Sequence, residues 1–100
     1  MNAENLKKIV ALRHDLHRHP ELSMQEQETK KHLITFIKEN THLEVIDRGH
    51  WFYIQYIAKR QSEMLPADMK PPIAFRADLD ALPILEATES LPYASENPGV

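Results

Sequence analysis

The sequence predicts an α/β chain, two helices followed by about three strands, and three observations carry that reading. Apolar residues recur at helical spacing over residues 4–17 and again over 33–37. The pattern then changes to short runs rich in β-branched and aromatic residues at 43–46, 51–58 and 73–78. The segments between are punctuated by proline or polar residues, above all 59–72.

The first helix is expected over 4–17. Leu6, Ile9, Val10 and Leu16 make its apolar side, with Lys7, Lys8 and Asp15 opposite. Pro20 disfavours helical geometry at His19, so the helix should end near His17. The second should start directly after it. Ser23 and Glu26 stand at capping-box spacing, hydroxyl to the Glu26 amide and carboxylate back to the Ser23 amide. Glu26 and Glu28 in the first turn and Lys38 in the last suit the helix dipole. Leu33, Ile34, Phe36 and Ile37 supply its buried stripe, and Asn40 marks its end.

Leu43 to Ile46 reads as a short strand, Gly49-His50 as a turn, and Trp51 to Ala58 as a strand apolar on both sides, which suits a central position. Trp51, Tyr53 and Tyr56 are then expected as core aromatics. Residues 59–72 read as a loop, Ile73 to Asp78 as a third strand, and 81–100 as largely irregular. No internal repeat or low-complexity tract is present.

The chain has 100 residues, one domain at most, with 42% hydrophobic and 27% charged residues. A formal net charge of −3 argues against a nucleic-acid partner, which needs a basic patch. No stretch approaches the ~18 apolar residues of a membrane span. The start of the chain has no apolar leader region, and the expected location is the cytoplasm. With no cysteine there is neither a disulfide framework nor a thiolate metal site.

Residues 76–83, Arg-Ala-Asp-Leu-Asp-Ala-Leu-Pro, are the most informative octet. They set Asp78 and Asp80 two residues apart where the third strand should run out into a loop. If strand geometry persists to residue 80, the two carboxylates share a face. Such a like-charged pair is costly without a cation, metal or histidine between them. Capping of the loop is the plainer account of both, and Arg76 can pair with one of them. His14, His17 and His19 invite a zinc reading, since the first two share a helical face. The plainer account is one histidine facing solvent and another anchoring the turn, because no cysteine or nearby acidic pair completes a four-ligand set. His19-Pro20-Glu21 also resembles the His-Pro-Asp loop of J-domain co-chaperones. Its glutamate, the lack of a long basic face on the first helix, and the strands that follow argue against that class.

A more specific resemblance covers nearly the whole chain apart from 42–72. Residues 13–29 match a pattern R-x-D-L-H-x-H-P-E-L-x-x-x-E-x-x-T, and residues 76–86 match R-A-D-M-D-A-L-P-I-x-E, with Leu79 in place of the commoner methionine. In this order the two segments resemble the N-terminal signature of the metal-dependent amidohydrolases of the aminoacylase and hippurate hydrolase type, relatives of carboxypeptidases. Ser95 to Val100 resembles the stretch that leads into that family's metal-binding H-A-C-G-H-D. The loop 59–72 departs from the family in being long and glycine-free.

The resemblance implies that residues 1–100 are the N-terminal portion of a mixed-sheet catalytic domain, ending before the metal-binding motif. The full enzyme would hydrolyse the amide of N-acyl amino acids, related conjugates or peptides. Two divalent ions, zinc, manganese or cobalt, would polarise the carbonyl and acidify a water. None of their ligands is expected within 1–100, so the isolated chain should be inactive. Asp80 would orient a metal-ligating histidine, fixing its tautomer and basicity, and Asp78 would be a structural hydrogen-bond acceptor. Partners would be the small-molecule substrate and a second copy in a homo-oligomer, with no nucleic acid or membrane. The alternative is a non-catalytic module that binds a partner and retains the family sequence.

Overall fold

The computed structural model describes residues 1–58, 70–85 and 91–100. Its elements run α1 (Ala3–Arg18), α2 (Gln27–Asn40), β1 (Glu44–Asp47) and β2 (Phe52–Gln55). The α/β class and both helices are as expected. Most of the loop expected at 59–72 lies outside the described residues.

Helix α1 is closed at its start by Asn2, whose side-chain oxygen accepts the Asn5 amide at 2.8 Å. It stops where proline geometry requires. His19 is its C-terminal cap, with the His19 amide donating to the Leu16 carbonyl at 3.3 Å. Glu4 in the first turn and His17 and Arg18 in the last complement the dipole.

The start of α2 corrects the capping-box expectation. The helix begins at Gln27, four residues past Ser23, and its N-cap Glu26 makes no side-chain cap bond. Two constraints hold residues 22–25 out of the helix. Leu22 is engaged in a parallel bridge to Ala81, and Met24 turns back with φ 66°, a left-handed geometry that costs a non-glycine residue about 1 kcal/mol or more. Glu26 uses its carboxylate locally, accepting the Met24 amide at 2.9 Å. The orphan amide at the third helical position is satisfied from outside the helix. Glu21 Oε1 accepts both the Thr29 amide and the Thr29 hydroxyl, each at 2.5 Å.

These caps give an expected result. Asn2→Ala should lower the stability of α1 by about 1 kcal/mol, read as faster amide exchange in its first turn. Ser23→Ala should stay within about 0.5 kcal/mol of wild type. The reverse order of effects would mean that the two caps are misassigned.

The strands β1 and β2 form an antiparallel hairpin, with Val45 opposite Ile54 and Asp47 opposite Phe52. The Arg48 amide donates to the Trp51 carbonyl at 2.8 Å, closing the connection. Gly49 sits in it at φ 84°, where a side chain would be strained. Lys30 of α2 reaches across to the hairpin, donating to Asp47 Oδ1 at 2.6 Å and to the Gly49 carbonyl. The stripe Leu33, Ile34, Phe36 and Ile37 is half-buried as α2 packs against β1.

Two expectations about the sheet do not hold. Residues 73–78 form no strand, and Ile73 and Phe75 are 85% and 96% exposed. Their extended propensity finds no neighbouring strand to complete its hydrogen bonds. For the same reason β2 is not a central strand. Among the described residues it pairs with β1 on one side only, and Trp51, Tyr53 and Tyr56 are exposed rather than core residues. Among the described residues no apolar side chain is fully buried, and Thr29 is the one buried residue. No helix among them is long and apolar enough to cross a membrane.

Candidate functional site

The end of α1 at Arg18 and the turn His19-Pro20-Glu21-Leu22 that follows it gather bonds from distant segments. Pro20 ends the helix here, and the carbonyls of Arg18, Pro20 and Glu21 accept donors from distant segments. Arg18 accepts the Glu96 amide at 2.7 Å, Pro20 accepts the Asn97 side-chain amide, and Glu21 accepts the Ala81 amide at 2.7 Å. The 78–82 stretch and the 95–100 stretch are thereby drawn alongside α1. Between them lies an open cleft of about 560 Å³, lined by Ile9, Leu12, Leu16 and Leu82 with Arg13, His17, Asp78 and Asp80 among its polar groups.

Both predicted carboxylates border this cleft, although the strand expected to present them is absent. Their surroundings differ. Asp78 accepts from Arg76 Nε at 3.1 Å, with a second guanidinium nitrogen also at 3.1 Å. Both side chains are largely exposed, so the pair contributes little stability. It does occupy Asp78, where the sequence left open which of the two carboxylates Arg76 would pair with. Asp80 is exposed and makes no hydrogen bond or ion pair among the described residues. Of the two, Asp80 is the carboxylate left open to the cleft.

The three histidines do not converge. His14 stacks flat on Tyr93 at 3.9 Å between centroids, and His17 meets the same ring edge-on at 5.3 Å. Arg13 lies 5.9 Å from the Tyr93 centroid. His19 anchors the turn, with Nδ1 3.0 Å from the Asp15 carbonyl and Nε2 3.1 Å from Glu96. Asp15 also faces His32 of α2 at 3.4 Å and Arg18 at 3.9 Å. Among the described residues no group of three or more histidines, aspartates or glutamates is arranged to hold a metal ion. The two divalent ions implied by the resemblance are therefore not accommodated by these residues alone.

Sequence reasoning missed the Glu21–Thr29 pair and the place of Tyr93. The first leaves a faint signal, since both residues belong to the 13–29 segment. The second leaves none, because a ring at residue 93 meets α1 only through the turn's long-range bonds.

One carboxyl group has a displaced titration. Asp47 is held below the ordinary carboxylate range, first by the Lys30 hydrogen bond and next by the Gly49 amide. A depressed folded pKa contributes stability above the unfolded value, ~3.9, and loses it as pH falls through the folded pKa. The link between α2 and the hairpin should therefore weaken only in acid. Lys30→Met should move the Asp47 carboxyl titration, followed by carbon-13 NMR, up toward that ordinary value. An unmoved curve would show that Lys30 does not hold Asp47 in solution.

Among known proteins, the chain is similar to part of several amidohydrolases and deacetylases. N-acetylcysteine deacetylase of Bacillus subtilis is 40% identical over 92 residues, 92% of this chain and 22% of that protein. N-acetyldiaminopimelate deacetylase of Bacillus velezensis is 35% identical over 96 residues, covering 93% and 23%. N-acyl-L-amino acid amidohydrolase of Geobacillus stearothermophilus is 35% identical over 92 residues, covering 92% and 23%. The chain thus spans under a quarter of the length of each of these three relatives. No family model matches it, and no solved structure matches it.

Proposed function

We propose that this chain is the N-terminal portion of a metal-dependent amidohydrolase that cleaves the amide of an N-acyl amino acid or a related conjugate. The observation that carries the reading is its 35–40% identity, over 92–93% of its own length, to the three relatives above. Each of their names denotes removal of an acyl group from an amino acid or action on an N-acyl amino acid. The open cleft beside α1 supports it, with Asp80 on its rim and unpaired among the described residues.

In this reading the ions, zinc, manganese or cobalt, are held by residues other than those described, and supply carbonyl polarisation and an acidified water when bound. This chain supplies one wall of the cleft and the Asp80 carboxylate. Asp80 accepts a hydrogen bond from a ring N–H of a histidine and keeps that ring in one tautomer. Arg76 keeps Asp78 from competing for it. The chaperone-docking reading of His19-Pro20-Glu21 loses ground, because the Glu21 carboxylate turns inward to Thr29 instead of facing a partner.

The test is direct. Sequencing the natural transcript past the codon for Val100, with intact-mass analysis of the protein from its source, should reveal His-Ala-Cys-Gly-His-Asp. A natural protein that lacks this motif would decide for a non-catalytic partner-binding module.

A further inference from the structure

Residues 70–85 carry both cleft carboxylates, yet they form no helix or strand and lie almost fully exposed. Among the described residues, one backbone hydrogen bond ties them to the rest of the molecule, from the Ala81 amide to the Glu21 carbonyl at 2.7 Å. Asp80 is the residue immediately before that tether. Whatever fixes the Glu21 backbone therefore fixes where the Asp80 carboxylate stands.

The Glu21 backbone is fixed by its own side chain. Its carboxylate accepts two hydrogen bonds from Thr29, through the amide and the hydroxyl. Charge-assisted bonds of this kind are roughly twice as strong as neutral ones. Thr29 is in the first turn of α2 and is the most buried of the described residues, so the anchor point is rigid. Pro20 restricts the same turn from the other side. The sequence of contacts runs from α2 through Thr29 and the Glu21 carboxylate to the Glu21 carbonyl, the Ala81 amide and Asp80.

We propose that Glu21, acting through Thr29, is a positioning residue for Asp80. The inference rests on the reading that Asp80 serves amide hydrolysis. A helix cap with no further role would hold α2 and leave the cleft unaffected. The positioning role instead predicts a specific loss at the reacting geometry, where a misplacement of ~1 Å costs up to about 100-fold in rate.

The experiment uses the full-length hydrolase and three variants. Thr29→Val keeps the shape and removes the hydroxyl, Thr29→Ser restores it, and Asp80→Asn removes the group being positioned. Steady-state kinetics are measured with N-acetylated amino acids, and amide exchange at Ala81 is measured in metal-free protein. Thr29→Val should lower kcat by roughly 10-fold with KM within about 2-fold, and Thr29→Ser should recover most of it. Exchange at Ala81 should accelerate in Thr29→Val while the β1–β2 hairpin amides keep wild-type rates. In the Asp80→Asn background, Thr29→Val should cost nothing further in kcat, because both act on one group. Independent, multiplying losses in the double variant, or a fall in thermal midpoint alone, would overturn the positioning role and leave the site reading standing. Wild-type kcat in Asp80→Asn alone would overturn the reading of the site, and the positioning role with it.

Discussion

The isolated 100-residue chain should hydrolyse no N-acetylated amino acid above background, even at saturating zinc, manganese or cobalt. A catalytic zinc ion needs three protein ligands and an open position, and a two-metal centre needs nearly twice as many. The described residues offer no such convergence. On the cleft, Asp78 is taken by Arg76, and His17 packs edge-on against Tyr93. Asp80 alone cannot hold an ion against water. Without the metal the reaction loses its electrophile and its activated nucleophile together. Turnover should then fall from the usual enzymatic range by on the order of 10⁶-fold or more, to the uncatalysed rate. The measurement is ninhydrin-detected release of free amino acid over a day, with metal content followed across two purification columns. Metal-dependent turnover that co-migrates with the chain through both columns would refute this account.

How far the sequence disclosed the fold depends on how local each determinant is. Helix α1 was legible to within a residue at each end, because its apolar period and Pro20 act within a few positions. The body of α2 was legible for the same reason, but its start was not. Ser23 and Glu26 stand at the right spacing for a cap, yet the competing bridge of Leu22 to Ala81 pulls that stretch away from the helix axis. Nothing near Leu22 announces a partner 59 positions later. The run Ile73-Ala74-Phe75 shows the same limit from the other side. Its composition favours extended structure, but a strand exists only where a neighbour supplies the ladder, and among the described residues β2 pairs with β1 alone.

The candidate site residues could be named from the sequence, and their geometry could not. Asp78 and Asp80 were found from the octet and both reach the cleft, while the strand argument that placed them on one face does not apply. Their different surroundings come from Arg76, which pairs with Asp78 and which a sequence places two residues from Asp78 and four from Asp80 without choosing between them. The Glu21–Thr29 contact left only a faint signal, because its members are eight residues apart, across a turn whose course depends on Met24 adopting a left-handed conformation.

The proposed role of Asp80 sets the second large effect. In the full-length protein, Asp80→Asn should cut kcat by roughly 10–100-fold, the range for losing a carboxylate that orients a metal-ligating histidine, and should leave KM nearly unchanged. Asparagine keeps the shape but not the charge, so the histidine becomes less basic and can settle in the wrong tautomer. Substrate binding does not need that charge, which is why the loss belongs in kcat. Asp78→Asn should be milder. Its carboxylate already faces the Arg76 guanidinium at 3.1 Å, and both side chains are exposed, so the change releases Arg76 and costs at most about 1 kcal/mol. Arg76→Gln should behave like Asp78→Asn in stability, yet it leaves Asp78 free to compete with Asp80 for the same histidine and should lower kcat modestly. The three variants are compared at saturating metal with thermal midpoints alongside. If Asp78→Asn abolishes turnover while Asp80→Asn retains it, the Arg76 contact marks the functional carboxylate and the two roles are reversed. If neither changes kcat, the octet is structural and the catalytic carboxylates lie elsewhere.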